Sequence, residues 1–89
     1  MLLVFSTHAW ADYLWWQAEA RGKQLDRLND LIEATKRDPF RGIGKPEPLR
    51  GDKSGWWSRR INDEHRMVYR VTGKGDAQQL EIIQLRYHY

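Results

Sequence analysis

The spacing of apolar residues changes within the first ten positions of the chain. Leu2–Phe5 is a short continuous apolar run, which is typical of a buried strand. Apolar positions over residues 8–21 then follow helical spacing, and the side-chain oxygen of Ser6 or Thr7 can cap such a helix by accepting a hydrogen bond from its first turn. Helices commonly end at glycine, so the pattern predicts that this helix ends at Gly22. The pattern therefore predicts one strand followed by one helix.

A second apolar stripe predicts a helix from about residue 23 to residue 36. Its members recur at intervals of three and four and so share one helical face: Leu25, Leu28, Leu31 and Ile32. Asp38-Pro39 ends this helix, because the residue before a proline is disfavoured in the α conformation. Two consecutive helices are therefore expected, separated by a break around Gly22.

The second half of the chain is typical of strands that follow a long loop. Residues 39–55 hold all three prolines and four of the seven glycines, and we interpret them as one ordered loop of a length that usually has a function. Three strands are predicted at 56–61, 66–72 and 79–85, joined by short polar turns. The order β-α-α-β-β-β predicts an α+β fold, in which two N-terminal helices pack on one face of a small antiparallel sheet and the other face stays partly open.

Length and composition narrow the class of protein. The 89 residues are expected to form a single domain over residues 1–89. The absence of cysteine excludes disulfides and thiolate chemistry. No apolar run approaches the roughly 18 residues of a membrane helix, and the first residues lack the basic segment of a signal peptide. We therefore expect a cytoplasmic protein that does not contact a membrane.

The positive charge is concentrated in the second half. Residues 1–44 carry six basic and six acidic side chains, whereas residues 45–89 carry nine basic and six acidic ones, which accounts for the whole net charge of +3. A basic half suggests a polyanionic partner such as nucleic acid. A solvated surface would also account for so small a net charge, so the charge alone leaves both interpretations open.

Arginine is the most frequent candidate for phosphate binding, because its planar guanidinium donates hydrogen bonds to two oxygens at once. Five arginines lie in or beside the predicted strands: Arg59, Arg60, Arg66, Arg70 and Arg86. For any one of them, an exposed position on a strand is the simpler interpretation. Their clustering within the last 31 residues makes phosphate binding as good an interpretation as a solvated strand surface.

Three further residues are candidates for acid–base chemistry. Glu47 stands between Pro46 and Pro48, which stiffen the backbone around a carboxylate that could act as a general base. His88 is a candidate proton donor because imidazole titrates near neutrality, and Tyr89 adds its α-carboxylate beside it. The simpler alternatives are an exposed loop acid and a chain end that completes the packing of the last strand.

Several other chemistries find no support in the sequence. The spacing of His8, His65 and His88 matches no metal site, and no cofactor is expected. The glycines at 42 and 44 lack the spacing of a phosphate-binding loop, and no serine triad is indicated. From the residues alone, we expect a basic α+β domain, and binding or cutting of a phosphodiester is a hypothesis for its function.

Long motifs in the second half resemble the YoeB (Txe) toxins of the RelE/ParE superfamily. They read KPEPL at 45–49, SGWWSRRI at 54–61, EHRMVY at 64–69 and RYHY at 86–89. The first half also fits, with Trp10, Asp12-Tyr13-Leu14, Trp16-Gln17 and Asp38-Pro39-Phe40 in the family's order. The resemblance covers essentially the whole chain.

The resemblance implies a RelE-like microbial RNase fold and the toxin of a type II toxin–antitoxin system. Such toxins cut mRNA in the ribosomal A site without a metal. By matching position, Glu47 would be the general base that takes the proton of a ribose 2′-OH. Arg66 would stabilise charge on the phosphoryl oxygens, His88 would protonate the leaving oxygen, and Tyr89 would orient the substrate.

The resemblance also implies partners. Arg50, Arg59 and Arg60 match positions expected to hold the RNA backbone, although lysine is the more familiar residue at the first of them. A YefM-like antitoxin, the 70S ribosome with its mRNA, and a second copy of the chain in a homodimer are expected. Two non-catalytic alternatives stay open: a ParE-like poison of DNA gyrase, and an RNA-binding module that blocks the ribosome without cutting.

Overall fold

Two helices and five strands form the part of the chain that this computed structural model describes, residues 1–19 and 22–87. In chain order they are β1 (Leu2–Phe5), α1 (Thr7–Glu19), α2 (Lys23–Arg37), β2 (Glu47–Pro48), β3 (Trp57–Arg60), β4 (Arg66–Thr72) and β5 (Gln79–Gln84). The strands make one sheet in the order β1-β5-β4-β3-β2. The predicted α+β class is confirmed.

Local signals in the sequence account for most element boundaries. The strands predicted at Leu2–Phe5 and Arg66–Thr72 have those bounds. The expectation that Leu2–Phe5 is buried is wrong, because β1 lies at the edge of the sheet and its first three residues are exposed. Ser6 caps α1, because its Oγ accepts a hydrogen bond from the backbone N–H of Ala9 at 3.0 Å. Helix α2 ends at Arg37, immediately before Asp38-Pro39. The predicted last residues of α1, at positions 20 and 21, lie outside the described residues.

The sheet differs from the prediction in two respects. It is mixed and not wholly antiparallel, since β1 pairs in parallel with β5. No tight turn joins these two strands, so hairpin geometry does not dictate their direction. The predicted loop over residues 39–55 also contains β2, which pairs antiparallel with β3. A strand of two residues is too short to show alternation, and Pro48 is tolerated in it because β2 lies at the sheet edge.

Alternation along the strands gives the sheet a helix-covered face and an open face. Met67 and Tyr69 of β4 point into the core between sheet and helices. The buried core consists of Ala9, Trp16, Leu28, Leu31, Ile32, Ile61, Met67, Tyr69, Leu80, Ile82 and Leu85. On the open face, Arg66 stands opposite Arg60 in the strand register, and Ser58 stands opposite Val68. The open face therefore carries arginines from adjacent strands, while Ser58 and Val68 on the same face are fully buried.

Arg59 lies on the helix-covered side of β3 and is fully buried. Its Nε donates to the Tyr69 hydroxyl at 3.1 Å, and its Nη1 donates to the carbonyl of Ile43 at 3.1 Å. Its Nη2 donates to the carbonyls of Asp38 and of Arg41, the latter at 2.8 Å. All three guanidinium nitrogens are thus used inside the protein. The expectation that Arg59 holds RNA is wrong, because strand alternation turns it towards the core.

Arg59→Lys should lower the free energy of unfolding by about 2–4 kcal/mol, because lysine keeps the charge but cannot reproduce the planar fork of donors at a buried site. Urea unfolding followed by tryptophan fluorescence measures the loss. Arg60→Lys is the matched control: its side chain is exposed on the neighbouring position, so a change within about 0.5 kcal/mol is expected. Equal losses in the two variants would contradict this role.

Burial raises the pKa of Tyr69 above its ordinary value of 10.0, opposed in part by the hydrogen bond and charge of Arg59. The unfolded chain then loses this proton at a lower pH than the native protein. The stabilisation is therefore complete below about pH 10 and is lost as the pH rises towards the native pKa. Tyr69→Phe lacks this titration, so its stability deficit should shrink between about pH 9 and pH 11. A constant deficit in urea unfolding would refute the assignment.

Candidate active site

Three strands bring an acid, a hydroxyl and a guanidinium together on the open face. Glu47 of β2 stands opposite Ser58 of β3 in the strand register. The Nε of Arg66 donates to Ser58 Oγ at 3.0 Å, and its Nη2 donates to Glu47 Oε1 at 3.1 Å. The side chain of Arg66 is 15% exposed and that of Glu47 is 55% exposed. A fixed guanidinium therefore lies beside a carboxylate that solvent can reach.

The backbone around Glu47 is restrained from both directions. Pro46 and Pro48 fix φ on either side of it. Pro48 stands opposite Trp57, and the N–H of the buried Leu49 donates to the carbonyl of Trp56 at 2.9 Å. These contacts keep the short edge strand β2 against β3. The carboxylate thus stands on a backbone with little freedom, which suits a group that must meet a substrate in one geometry.

The end of the described chain lies beside Arg66. The backbone N–H of Arg66 donates to the carbonyl of Tyr87 at 3.2 Å, and the N–H of Tyr87 donates to Nδ1 of His65 at 2.8 Å. The chain therefore reaches position 87 next to the Glu47–Arg66 pair. The two remaining candidates, His88 and Tyr89, lie outside the described residues.

Two of the arginines expected to hold RNA are exposed. Arg50 precedes the short 3-10 turn Gly51–Lys53. Arg60 forms an ion pair with Asp63 and lines a cleft of about 380 Å³ at the end of β3. Arg27 of α2 and Lys45 also line this cleft, so three cations and one carboxylate face it. A positively charged surface thus begins one strand away from Arg66.

Two site residues escaped the sequence analysis as candidates. Ser58 carries no distinctive signal, and only the alternation of β3, which places it two residues before Arg60, indicates that it shares the face of Arg66. His65 was considered only as a metal ligand, whereas its Nδ1 accepts a backbone hydrogen bond. Within residues 1–19 and 22–87, no group of three or more His, Cys, Asp or Glu side chains is arranged to hold a metal ion.

Comparison with known proteins identifies the family. A profile of the YoeB-like toxin of the bacterial type II toxin–antitoxin system matches residues 5–89. The chain is 54% identical to Toxin YoeB of Streptomyces coelicolor and 49% identical to Toxin YoeB of Escherichia coli K12, over the full length of both partners each time. The chain therefore belongs to the YoeB-like toxins of type II toxin–antitoxin systems, and the family resemblance is confirmed.

Solved structures agree with this family. The YoeB/ParE toxin from Agrobacterium tumefaciens is 54% identical and superposes with a TM-score of 0.93 over the whole of both chains. A YoeB dimer from Staphylococcus aureus is 37% identical, with a TM-score of 0.81, and covers 100% of this chain and 98% of that one. A heterotetrameric YoeB–YefM complex from the same species is 38% identical, with a TM-score of 0.81, covering 100% and 99%.

In the described residues, neither helix is long and apolar enough to cross a membrane.

Proposed function

We propose that this toxin is an endoribonuclease that cuts mRNA in the ribosomal A site by a metal-independent transesterification. The observation that carries the proposal is the pairing of Glu47 and Arg66 at 3.1 Å on the open face of the sheet. A carboxylate can accept a proton, and an adjacent guanidinium can stabilise charge on a phosphate. General acid and base groups contribute about 10²–10⁴-fold each, which makes cleavage useful without a metal.

The reaction uses a nucleophile that the substrate itself carries. Glu47 takes the proton of a ribose 2′-OH, and the resulting oxygen attacks the adjacent phosphorus. The bond from phosphorus to the 5′-oxygen breaks, and His88 gives that oxygen a proton. The products are a 2′,3′-cyclic phosphate, which can open to a 3′-phosphate, and a 5′-OH. DNA lacks the 2′-OH, so the mechanism restricts the substrate to RNA without any contact to the bases.

In this scheme Arg66 first binds Glu47 and then the phosphate of the substrate. In the free protein its Nη2 donates to Glu47, while Ser58 holds its Nε. A phosphate group in the site would compete with the Glu47 carboxylate for Nη2. Because Ser58 still holds Nε, the guanidinium plane keeps its orientation during this exchange. We assign the orientation of the substrate to Tyr89, by its match to the family pattern.

We propose that the RNA backbone runs from Arg66 across Arg60 into the cleft lined by Arg27 and Lys45. The register of β3 and β4 supports this path, since Arg60 stands opposite Arg66 on the same face. Arg50, which follows β2 by two residues, extends the positive charge on the side of Glu47. Contacts of this kind hold phosphates in sequence-independent fashion.

The proposed partners are the 70S ribosome with its mRNA in the cytoplasm, a YefM-like antitoxin and a second copy of the chain. The Staphylococcus aureus relatives form a YoeB dimer and a YoeB–YefM heterotetramer. Exposed large apolar residues on β1 and α1 support protein contacts for this chain; they are Leu2, Leu3, Val4, Trp10 and Leu14. Light scattering of the isolated chain measures its mass in solution and so tests the dimer. A mass of one chain at micromolar concentration would contradict the dimer.

Glu47→Gln should lower the cleavage rate of ribosome-bound mRNA by about 10²–10⁴-fold, because the amide cannot accept the proton of the 2′-OH. End-labelled mRNA on programmed 70S ribosomes measures the rate, with the product ends mapped. Glu33→Gln, an exposed glutamate on α2, is the control and should cut normally.

Each non-catalytic alternative has its own outcome in the same assay. Intact mRNA on ribosomes that the wild-type protein occupies would indicate a module that blocks translation. Absence of ribosome binding would make DNA gyrase the next target to test. Cleavage that needs both the ribosome and Glu47 would exclude both alternatives.

Arg27→Gln and Lys45→Gln should each weaken binding to programmed ribosomes by about 3- to 10-fold and reduce the salt dependence of binding by about one phosphate contact. Measuring binding in a Glu47→Gln background separates it from cleavage. Arg37→Gln removes the same charge from an exposed position at the end of α2, outside the cleft. Equal weakening by the Arg37 variant would attribute the effect to net charge and refute the path.

A further inference from the structure

Two buried side chains of α1 form hydrogen bonds to the backbone of Leu85, the residue directly after β5. The Oδ2 atom of Asp12 accepts a hydrogen bond from the N–H of Leu85 at 3.0 Å, and Nε1 of Trp16 donates to its carbonyl at 2.8 Å. Asp12 and Trp16 are four residues apart and so lie on one face of the helix. Their relative exposures are 6% and 1%. Both backbone groups of Leu85 are thus held by the first helix.

Another hydrogen bond holds the backbone two residues later, at Tyr87. Nδ1 of the buried His65 accepts the N–H of Tyr87 at 2.8 Å. The imidazole lies among aromatic rings, with centroid distances of 5.6 Å to Trp15, 5.2 Å to Trp16 and 5.2 Å to Tyr87. These rings fix the plane of the imidazole, so its acceptor atom has one direction. His65 therefore holds the chain next to Arg66, its neighbour in sequence.

Arg86, which lies between Leu85 and Tyr87, is restrained as well. The amide of Gln84 donates to the carbonyl of Arg86 at 2.7 Å. The guanidinium of Arg86 lies 3.9 Å from the centroid of the Trp15 ring and 4.8 Å from that of Tyr87. Tyr87 has a φ of 63°, which is uncommon for an aromatic residue and persists where surrounding contacts determine it. Residues 85–87, here called the C-terminal segment, are thus held at every position.

Each of residues 85–87 is held by a directed contact, which is more than packing of the segment requires. Burying the Asp12 carboxylate against the N–H of Leu85 also carries a desolvation cost. The C-terminal segment leads directly into His88 and Tyr89, and its last carbonyl accepts the backbone N–H of Arg66. Fixing residues 85–87 therefore fixes the point and direction from which the chain enters its last two residues.

We propose that Asp12, Trp16 and His65 are positioning residues for cleavage, acting through the C-terminal segment on the two residues that follow it. This inference rests on the proposed function. Catalytic groups lose roughly 10²-fold in rate when displaced by about 1 Å, so loosening the segment slows the chemical step. Binding of RNA along Arg60 and the basic cleft does not involve these contacts. The expected signature is a lower kcat with an unchanged KM.

Asparagine and leucine have nearly the same shape, but only asparagine offers a hydrogen-bond acceptor, so paired variants isolate the hydrogen bond. Asp12→Leu and His65→Leu should each lower kcat by about 10- to 100-fold with KM within about twofold of wild type. Asp12→Asn and His65→Asn should recover most of kcat. His8→Leu is the control, since His8 contacts the same Asp12 carboxylate at 3.4 Å and is exposed.

Hydrogen exchange of the Leu85 and Tyr87 amides is measured on the same variants and does not depend on cleavage. The leucine variants should exchange faster at these amides, while the asparagine variants and His8→Leu stay protected. Faster exchange with unchanged kcat would overturn the positioning role. Equal loss of kcat in the leucine and asparagine variants would also overturn it.

A wild-type protein that does not cut would instead refute the proposed function. The exchange data would then still show whether these side chains hold the segment.

Discussion

The alternation of side chains along β3 is the constraint on which both the buried core and the open face of this protein depend. It sends Arg59 towards the helices and Arg60 towards solvent, although the two residues are chemically identical and adjacent. A buried guanidinium is tolerable only when its donors are satisfied, and the loop after α2 supplies the carbonyls that satisfy it. That loop leads into β2, which carries Glu47. The interior arginine thus secures the path of the chain towards the open face.

The open face combines a rigid guanidinium with a carboxylate of easier access. Arg66 is held by Ser58, by the pairing of β4 with β3 and by the hydrogen bond of its backbone N–H to the carbonyl of Tyr87. Glu47 stands on an edge strand of only two residues, stiffened by the prolines beside it. Charge stabilisation requires little movement, whereas a base must reach a proton on an incoming substrate. The difference in exposure between the two side chains fits the division of work that we propose for them.

Spacing along the chain was sufficient to predict both helices and four of the five strands, all except the two-residue β2. The family pattern suggested Glu47 and Arg66, and the structure brings them within hydrogen-bond distance. Alternation shows which residues share a face of the sheet. Which face the helices cover depends on packing between distant segments, and for this reason Arg59 was wrongly expected to hold RNA. The parallel pairing of β1 with β5 and the contact of Asp12 with Leu85 join residues more than seventy positions apart. No local pattern encodes such contacts.

The neighbouring positions of β1 and β5 have a consequence for synthesis of the toxin. The first strand and the first helix find their partners only in the last strand and the residues after it. A chain made from its N-terminus cannot close its sheet until β5 has been made, because contacts between distant segments must await the later one. β1 and α1 therefore remain without these partners until the last strand and the residues after it are available to pair with them.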